Sequence, residues 1–501
     1  MARYKHTIAE SGQGMFLMVN LKEQLLPGTF EYMLNELVGT RIDVSIFDEN
    51  YKNDEKGAGA IPPRVLIKLI SYGYLKGVKS SRRLEELCRD NVTAKALAED
   101  MEPHWTTIAS FISTCGEKFK GIFTQILTYC NELELIGGQD YAVDGDRLPS
   151  NASLEMTGKR KDLEKRLSIY RRMAEKHIEK HKRRDEAGEN NEASEKHYQE
   201  RQRKVNKKIE ALDNFIKTMK PKKGGDGKEI TSNVTDNESA MIHSSKGYIQ
   251  GYIGMAVADS KEQIIVSAKA VGSANEGAHF PDMLKNALSN VEKAGVKKEP
   301  EKKPVVMADS NYFSEENLKV GRELGVETII ADRNYKSRLG KKDDKTYRAE
   351  DFTYNKEDDN YECPAGKKLK RTKTREISGR ECKLYKADAS DCWVCLLKEK
   401  CAKSKKKDRK SGRSLIVTES NSPGGLIHEH LKNLNTVEWQ DKYACRIQII
   451  EPVFANISCC KGLNRFSLRG QEKVNGQWLL YCIVHNLGKC LKGYNKGKGY
   501  A

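Results

Sequence analysis

"YAVDGDRLPSNAS", residues 141–153, sets two aspartates, Asp144 and Asp146, at the exit of a short apolar run. An apolar run of this length, closed by turn residues, reads as a buried strand. Acid at its end needs a reason, because the chain carries a formal net charge of +17. A turn, a salt bridge and a metal seat would each place it there.

Downstream, "YIQGYIGMAVAD" and "QIIVSAKAV" are β-branched runs close enough to form a hairpin, a helical pattern covers 280–293, and "PVVMAD" spans 304–309. A helix is expected from Ser314, then a short strand in "VETIIAD". The order strand, strand, strand, helix, strand, helix, strand predicts a mixed sheet flanked by helices. Asp144, Asp259, Asp309 and Asp332 each end a strand. Strand-terminal Asp is a common turn residue, so adjacency decides which of them matter. The first and fourth strands can be neighbours in such a sheet. Asp144 and Asp309 would then emerge at one edge and share a divalent cation, while Asp259 would point elsewhere. Magnesium takes one or two carboxylates from a protein, with water and phosphate filling the rest. Glu451, beside the apolar stripe of "YACRIQIIEPVFANI", is the candidate third acid. The alternative is a first-turn glutamate stabilised by the helix dipole, with Pro452 opening the helix.

Upstream, residues 15–137 read as helical. "PPRVLIKLISYGYLKG" opens on prolines, Ser80 or Ser81 is a candidate N-cap, and an apolar face runs from Ile108 to Leu127. Arg82, Arg83 and the Thr106-Thr107 pair fit either a helix-turn-helix DNA reader or an ordinary bundle with solvated arginines. Residues 157–223 predict a charged antiparallel helical hairpin with Leu163, Leu167, Tyr170, Ile178, Val205, Ile209, Leu212 and Ile216 on its apolar faces. Residues 335–420 are a polar, lysine-rich insertion holding Cys363, Cys392, Cys395 and Cys401, whose C-x-x-C pair suits structural zinc or else free thiols.

Composition favours a polyanionic partner, with 88 Lys+Arg against 71 Asp+Glu. No stretch approaches the ~20 apolar residues of a membrane span. "MARYKHTIAESGQG" lacks the apolar segment of a secretory signal, so a cytoplasmic, nucleoid-associated protein is expected. Thirteen cysteines, an odd count, argue against a disulfide framework; Cys115, Cys130 and Cys482 fall inside apolar helical patterns, as buried thiols do.

The segments "DGDRLPSNAS", "TDNESAMIHSSKGYIQGYIGMAVADSKEQIIVSA", "ADSNYFSEENL" and "IIEPVFANISCCKGLNRFSLRGQEKVNGQWLLYCIVHNLGK" resemble DDE-type transposases of bacterial insertion sequences. "PPRVLIKLISYGYLKGVKSSRRLEELCRDN" and "PHWTTIASF" resemble the helical domain that precedes the catalytic domain in a large branch of that family. The resemblance runs over roughly residues 15–490. It implies an N-terminal helical DNA-binding domain at 15–137 and a ribonuclease-H-like catalytic domain at 138–490, with the hairpin 157–223 and the insertion 335–420 inside it. It also implies an Asp144–Asp309–Glu451 triad holding Mg²⁺, or Mn²⁺ in its place, for strand cleavage and transfer at terminal inverted repeats. Such chemistry proceeds without a covalent enzyme intermediate. A homodimer on paired DNA ends follows from the need to join two ends. Asp146 is expected to be a loop acid, since relatives often have a small neutral residue there. Arg446 matches a basic family position and is expected on DNA phosphate or in a surface ion pair. Lys461 is the nearest substitute for the basic residue that relatives have beyond the glutamate, and Ala455 replaces their usual glycine. A DNA-binding derivative without catalysis is the rival function; a Mg²⁺-dependent nuclease with another substrate is the third.

Overall fold

The computed structural model describes residues 20–51, 59–188, 191–225, 227–244, 247–297, 301–339, 347–377, 380–401 and 412–500. The N-terminal stretch "MARYKHTIAESGQG" and the expected helix start at residue 15 lie outside the described residues.

Among the described residues six α-helices come first: α1 (Phe30–Thr40), α2 (Pro63–Leu75), α3 (Ser81–Asp90), α4 (Val92–Leu97), α5 (Trp105–Thr114) and α6 (Phe119–Glu132). Pro63 occupies the first helical position of α2, where its missing N–H is no loss. Ser80 stands at the N-cap of α3 without a side-chain bond, and His104 caps α5 by accepting from the backbone N–H of Thr106. The apolar face expected from Ile108 to Leu127 is broken between α5 and α6. Gly116 lies in that break, where a Cβ would sit 3.1 Å from the carbonyl oxygen of Glu472 in the C-terminal helix.

The central sheet contains β1 (Asp140–Pro149), β2 (Ala240–Ser244), β3 (Gly247–Asp259), β4 (Ile265–Val271), β5 (Val305–Ala308) and β6 (Glu327–Ile330). Its order is β2-β3-β1-β5-β6, with β4 also paired to β3. β1–β3 and β3–β4 are antiparallel, whereas β1–β5 and β5–β6 are parallel. The parallel steps need crossovers, supplied by α9 (Phe280–Lys293) before β5 and α10 (Glu315–Glu323) before β6. Between β1 and β2 the chain makes α7 (Arg160–Glu186) and α8 (Glu192–Thr218), the expected hairpin. These pack on each other through Leu163, Leu167, Tyr170, Val205 and Leu212; Ile178, expected on the same face, is 41% exposed.

After β6 the polar insertion forms a second antiparallel sheet of β7 (Thr353–Asn355), β8 (Asn360–Glu362), β9 (Lys368–Ile377), β10 (Arg380–Ala387) and β11 (Ser414–Val417). Two short helices, α11 (Ala389–Trp393) and α12 (Lys398–Cys401), connect β10 to β11. The parts of the expected insertion at 340–346 and 402–411 lie outside the described residues. The chain ends in α13 (Leu426–Leu434), α14 (Val437–Ala455) and α15 (Gln471–Lys498).

α15 is buried nearly all round, as expected for a helix inside a large core. Trp478 is fully buried, donates its indole N–H to the carbonyl of Met255 at 2.9 Å, and packs where a Cβ on Gly254 would come within 3.0 Å of its ring. On its other side α15 meets α6, where Cys130 and Cys490 face each other, and α2, where Tyr74 stacks on Tyr481 at 4.3 Å. The N-terminal helices and the central sheet therefore belong to one continuous core.

Candidate active site and cysteine cluster

The parallel register of β1 and β5 pairs Val143 with Ala308, so the next residues, Asp144 within β1 and Asp309 just past β5, stand side by side. Asp144 accepts from the backbone N–H of Gly145 at 2.8 Å and from the Arg446 guanidinium at 2.7 Å. Asp309 accepts from the backbone N–H of Asn311 at 2.8 Å and from its side-chain amide at 3.1 Å. Burial, then the neighbouring Asp144 charge, pushes the Asp309 carboxyl above its ordinary value. Asp259, as expected, lies at the opposite end of the sheet, fully buried and accepting from the backbone of Gly137, Gly138 and Lys261.

Asp146 is not a loop acid. β1 continues to Pro149 because its pairing with β3 continues, and Asp146 sits opposite Gly254. Alternation along the strand puts Asp144 and Asp146 on one face, beneath α14. Arg446 stands over Asp144, bonded to it at 2.7 Å, while Glu451, five residues on and about 140° further round α14, is exposed and acts on Asp146 through its charge. Burial pushes the Asp146 carboxyl up to about 6, with the charges of Asp144 and Glu451 adding to it. The alternative for Glu451 as a first-turn residue falls: α14 starts at Val437, Thr436 caps it, and Pro452 lies inside the helix. Among the described residues no three His, Cys, Asp or Glu side chains are gathered closely enough to hold a metal ion, so the acids share a face without closing a coordination sphere.

The sequence pattern did not signal Glu276. It is almost fully buried on the opposite face of β1, where a Cβ on Gly145 would come 2.8 Å from its carboxylate. One oxygen accepts from Arg147 at 3.0 Å and from the Asn311 amide at 2.8 Å, while the other has no hydrogen-bond partner. Glu276 therefore fixes Asn311, which in turn fixes Asp309. Its residues, "SANEGAH", lie in a connection without periodicity, which is why spacing could not find it.

Arg446 was expected on phosphate or in a surface ion pair. It is 9% exposed, and its pair with Asp144 is buried. Lys461 is 3% exposed and bonded to the Asn456 side chain, with burial pulling its ammonium down to about 8, so it does not face open solvent. Arg82 and Arg83 are exposed on α3, with Arg82 stacked 4.6 Å over the Trp105 ring at the start of α5.

Within the second sheet Cys363, Cys392, Cys395 and Cys401 line one cavity of ≈ 60 Å³. Burial raises the Cys401 thiol, and the three other thiols push the same way against Arg413. None of the thirteen cysteines forms a disulfide.

No helix among the described residues is long and apolar enough to cross a membrane. Two families match the chain. The one described as "Transposase domain (DUF772)" matches residues 19–114, which include Arg82 and Arg83. The one described as "Transposase DDE domain" matches residues 362–491, which include Arg446, Glu451 and the four clustered cysteines. No curated protein matches the chain. With a transposase domain matched at one end and a transposase DDE domain at the other, the chain is similar to the DDE-type transposases of insertion sequences, and the two matches together support that family.

Proposed function

We propose that this transposase binds the terminal inverted repeats of its element and cuts and joins DNA strands at the edge formed by Asp144, Asp309 and Glu451, with Mg²⁺ as cofactor. The observation that carries the proposal is the register setting Asp144 beside Asp309 with a guanidinium 2.7 Å from Asp144. Two adjacent carboxylates with a side-chain cation standing against them suit a divalent ion, whose hard-oxygen preference they meet. The sheet order β4-β3-β1-β5-β6, with its first three strands antiparallel and the rest parallel, supports a ribonuclease-H-like core.

Asp144 and Asp309 would hold the cation, and Glu451 would complete its protein ligands from α14. When bound, the ion supplies activation of water or a DNA 3′-hydroxyl and stabilisation of the leaving oxygen. The chain's own work is to orient. Asn311 holds both oxygens of Asp309, and Glu276 with Arg147 holds Asn311. Arg446 orients Asp144 through a charge-assisted bond at 2.7 Å and balances its charge in a partly dry site. Exposed Arg82 and Arg83 are the proposed DNA contacts of the helical region, and a homodimer would bring two ends together.

The test is excision of a marked element, bounded by the gene's flanking repeats, in cells supplying wild type or Asp309→Asn, alongside binding of purified protein to the ends. Excision by wild type alone, with end binding retained in the variant, is the expected result. Equal excision by both proteins would remove Asp309 from the chemistry; binding without excision by either would favour a non-catalytic DNA-binding protein.

A further inference from the structure

Four thiols reach one cavity from three separate pieces of backbone. Cys363 lies in the turn between β8 and β9, Cys392 and Cys395 come from α11 and the turn after it, and Cys401 ends α12. The Cys363 turn is tightly made. Its N–H bonds the Lys367 carbonyl at 2.8 Å, its carbonyl accepts from Gly366 at 2.8 Å, and Gly366 has φ +73, a left-handed conformation suited to glycine. That turn aims the backbone N–H of Lys367 at the Cys363 sulfur, 3.4 Å away, and the backbone N–H of Arg413 points at the Cys392 sulfur at 3.3 Å. N–H groups directed at sulfur are the outer contacts that orient a metal-ligating side chain.

The charges around the cavity are mostly positive. Lys367, Lys398 and Arg413 line it, against one acid, Asp391, which pairs with Lys367 at 3.3 Å. Arg413 spends its two terminal nitrogens on the carbonyls of Cys401 and Tyr347, and its buried Nε has no partner. The surrounding module has little else to hold it. Seven buried apolar side chains form its core, Cys363, Cys392 and Cys401 pack against that core, and no disulfide closes it. Small modules of this size ordinarily need a metal or disulfide staple.

We propose that Cys363, Cys392, Cys395 and Cys401 bind one structural Zn²⁺ that fixes the second sheet, a site separate from the acid edge. A set of four sulfur donors selects zinc or iron–sulfur chemistry, and the C-x-x-C pair with two further cysteines matches closed tetrahedral zinc. Binding would release the four thiol protons to solvent and leave a doubly negative centre, which Lys367, Lys398 and Arg413 face. The thiols now surround the cavity without reaching coordination distance, so the ion would draw the α11–α12 segment inward onto the Cys363 turn.

The experiment uses the full chain, purified under reducing conditions without chelator, with zinc and iron measured per chain. Wild type should carry one equivalent of zinc, lost in Cys395→Ser and in Cys363→Ser and retained in Cys445→Ser, whose thiol is exposed on α14. Cobalt substitution should give the thiolate charge-transfer and tetrahedral d–d bands of a four-sulfur site in wild type and Cys445→Ser. Folded, reduced wild type without zinc, or with iron instead, would overturn the proposal, as would zinc that survives both cluster variants. Neither result bears on the carboxylates, so this proposal and the catalytic one can fail independently.

Discussion

Asp144 and Asp309 are placed by the register of a buried sheet, whereas the four clustered cysteines sit on turns and two short helices around a core of seven side chains. At the acid edge, position comes first and the ligands inherit it: strand register places two carboxylates together in a buried site, and burial first, then repulsion from Asp144, raises Asp309. In the cysteine module the order is reversed. The connections between strands have little packing of their own, and with zinc bound as proposed their arrangement would depend on the sulfurs. A rigid scaffold suits ligands that must hold a catalytic geometry. A ligand-dependent one suits a module whose stability is metal-linked.

The largest expected effect that tests this contrast is at the acid edge. Asp309→Asn should lower cleavage of end DNA in vitro by more than about 100-fold, beyond the ~10–100-fold usual for outer-shell partners of a metal. Its melting temperature should stay at or above that of wild type, because a neutral amide relieves repulsion against Asp144. A clear fall in stability would show that the sheet edge depends on that carboxylate, and the contrast would fail.

Next comes the scaffold itself. Trp478→Ala should cost about 3–5 kcal/mol in urea unfolding, from loss of a fully buried ring and its bond to Met255. A strong chelator should leave that transition in place while exposing the second sheet to limited proteolysis. If chelator shifts the main transition as much as Trp478→Ala does, the two regions are not separate in stability.

The same contrast explains what the residues alone disclosed. The strand order and the Asp144–Asp309 pairing were legible because buried parallel strands such as "PVVMAD" and "VETIIAD" are short apolar runs with acid at their ends. The second sheet was not legible. β9, "KLKRTKTREI", alternates charge with charge, and its half-buried face is supplied mainly by Leu369. Arg446 was legible as a position but not in its role, since no local pattern reveals that a helix three hundred residues away lies over Asp144. Asp146 failed for a related reason: Gly145 and Pro149 signal a turn, yet pairing with β3 carries the strand through both.

Arg446 gives the third test. Arg446→Met should leave Asp144 and Asp309 facing each other without a counter-cation, and breaking a buried pair costs about 3–5 kcal/mol. Added Mg²⁺ should raise the melting temperature of this variant more than that of wild type, because an ion binding only the folded state stabilises it by linkage. Equal shifts in the two proteins would mean that the guanidinium does not stand in for a metal.

The smallest expected effect is the pH dependence contributed by Asp146. Its folded carboxyl sits at about 6, above the ~3.9 of an unfolded aspartate, with burial the first cause and the charges of Asp144 and Glu451 adding to it. Between those values the folded state binds more protons than the unfolded one, so this group's contribution to stability is greatest below about pH 4 and falls as pH rises toward 6. Above pH 6 the ionised carboxylate is a constant liability in the metal-free protein. Asp146→Asn should therefore be more stable than wild type at pH 7.5, and the difference should shrink as the pH falls toward 4. Saturating Mg²⁺ should narrow it at pH 7.5 by favouring the ionised acid in wild type. If the amide variant is instead less stable at pH 7.5, Asp146 is satisfied as an anion, and the face beneath α14 is already balanced without a metal.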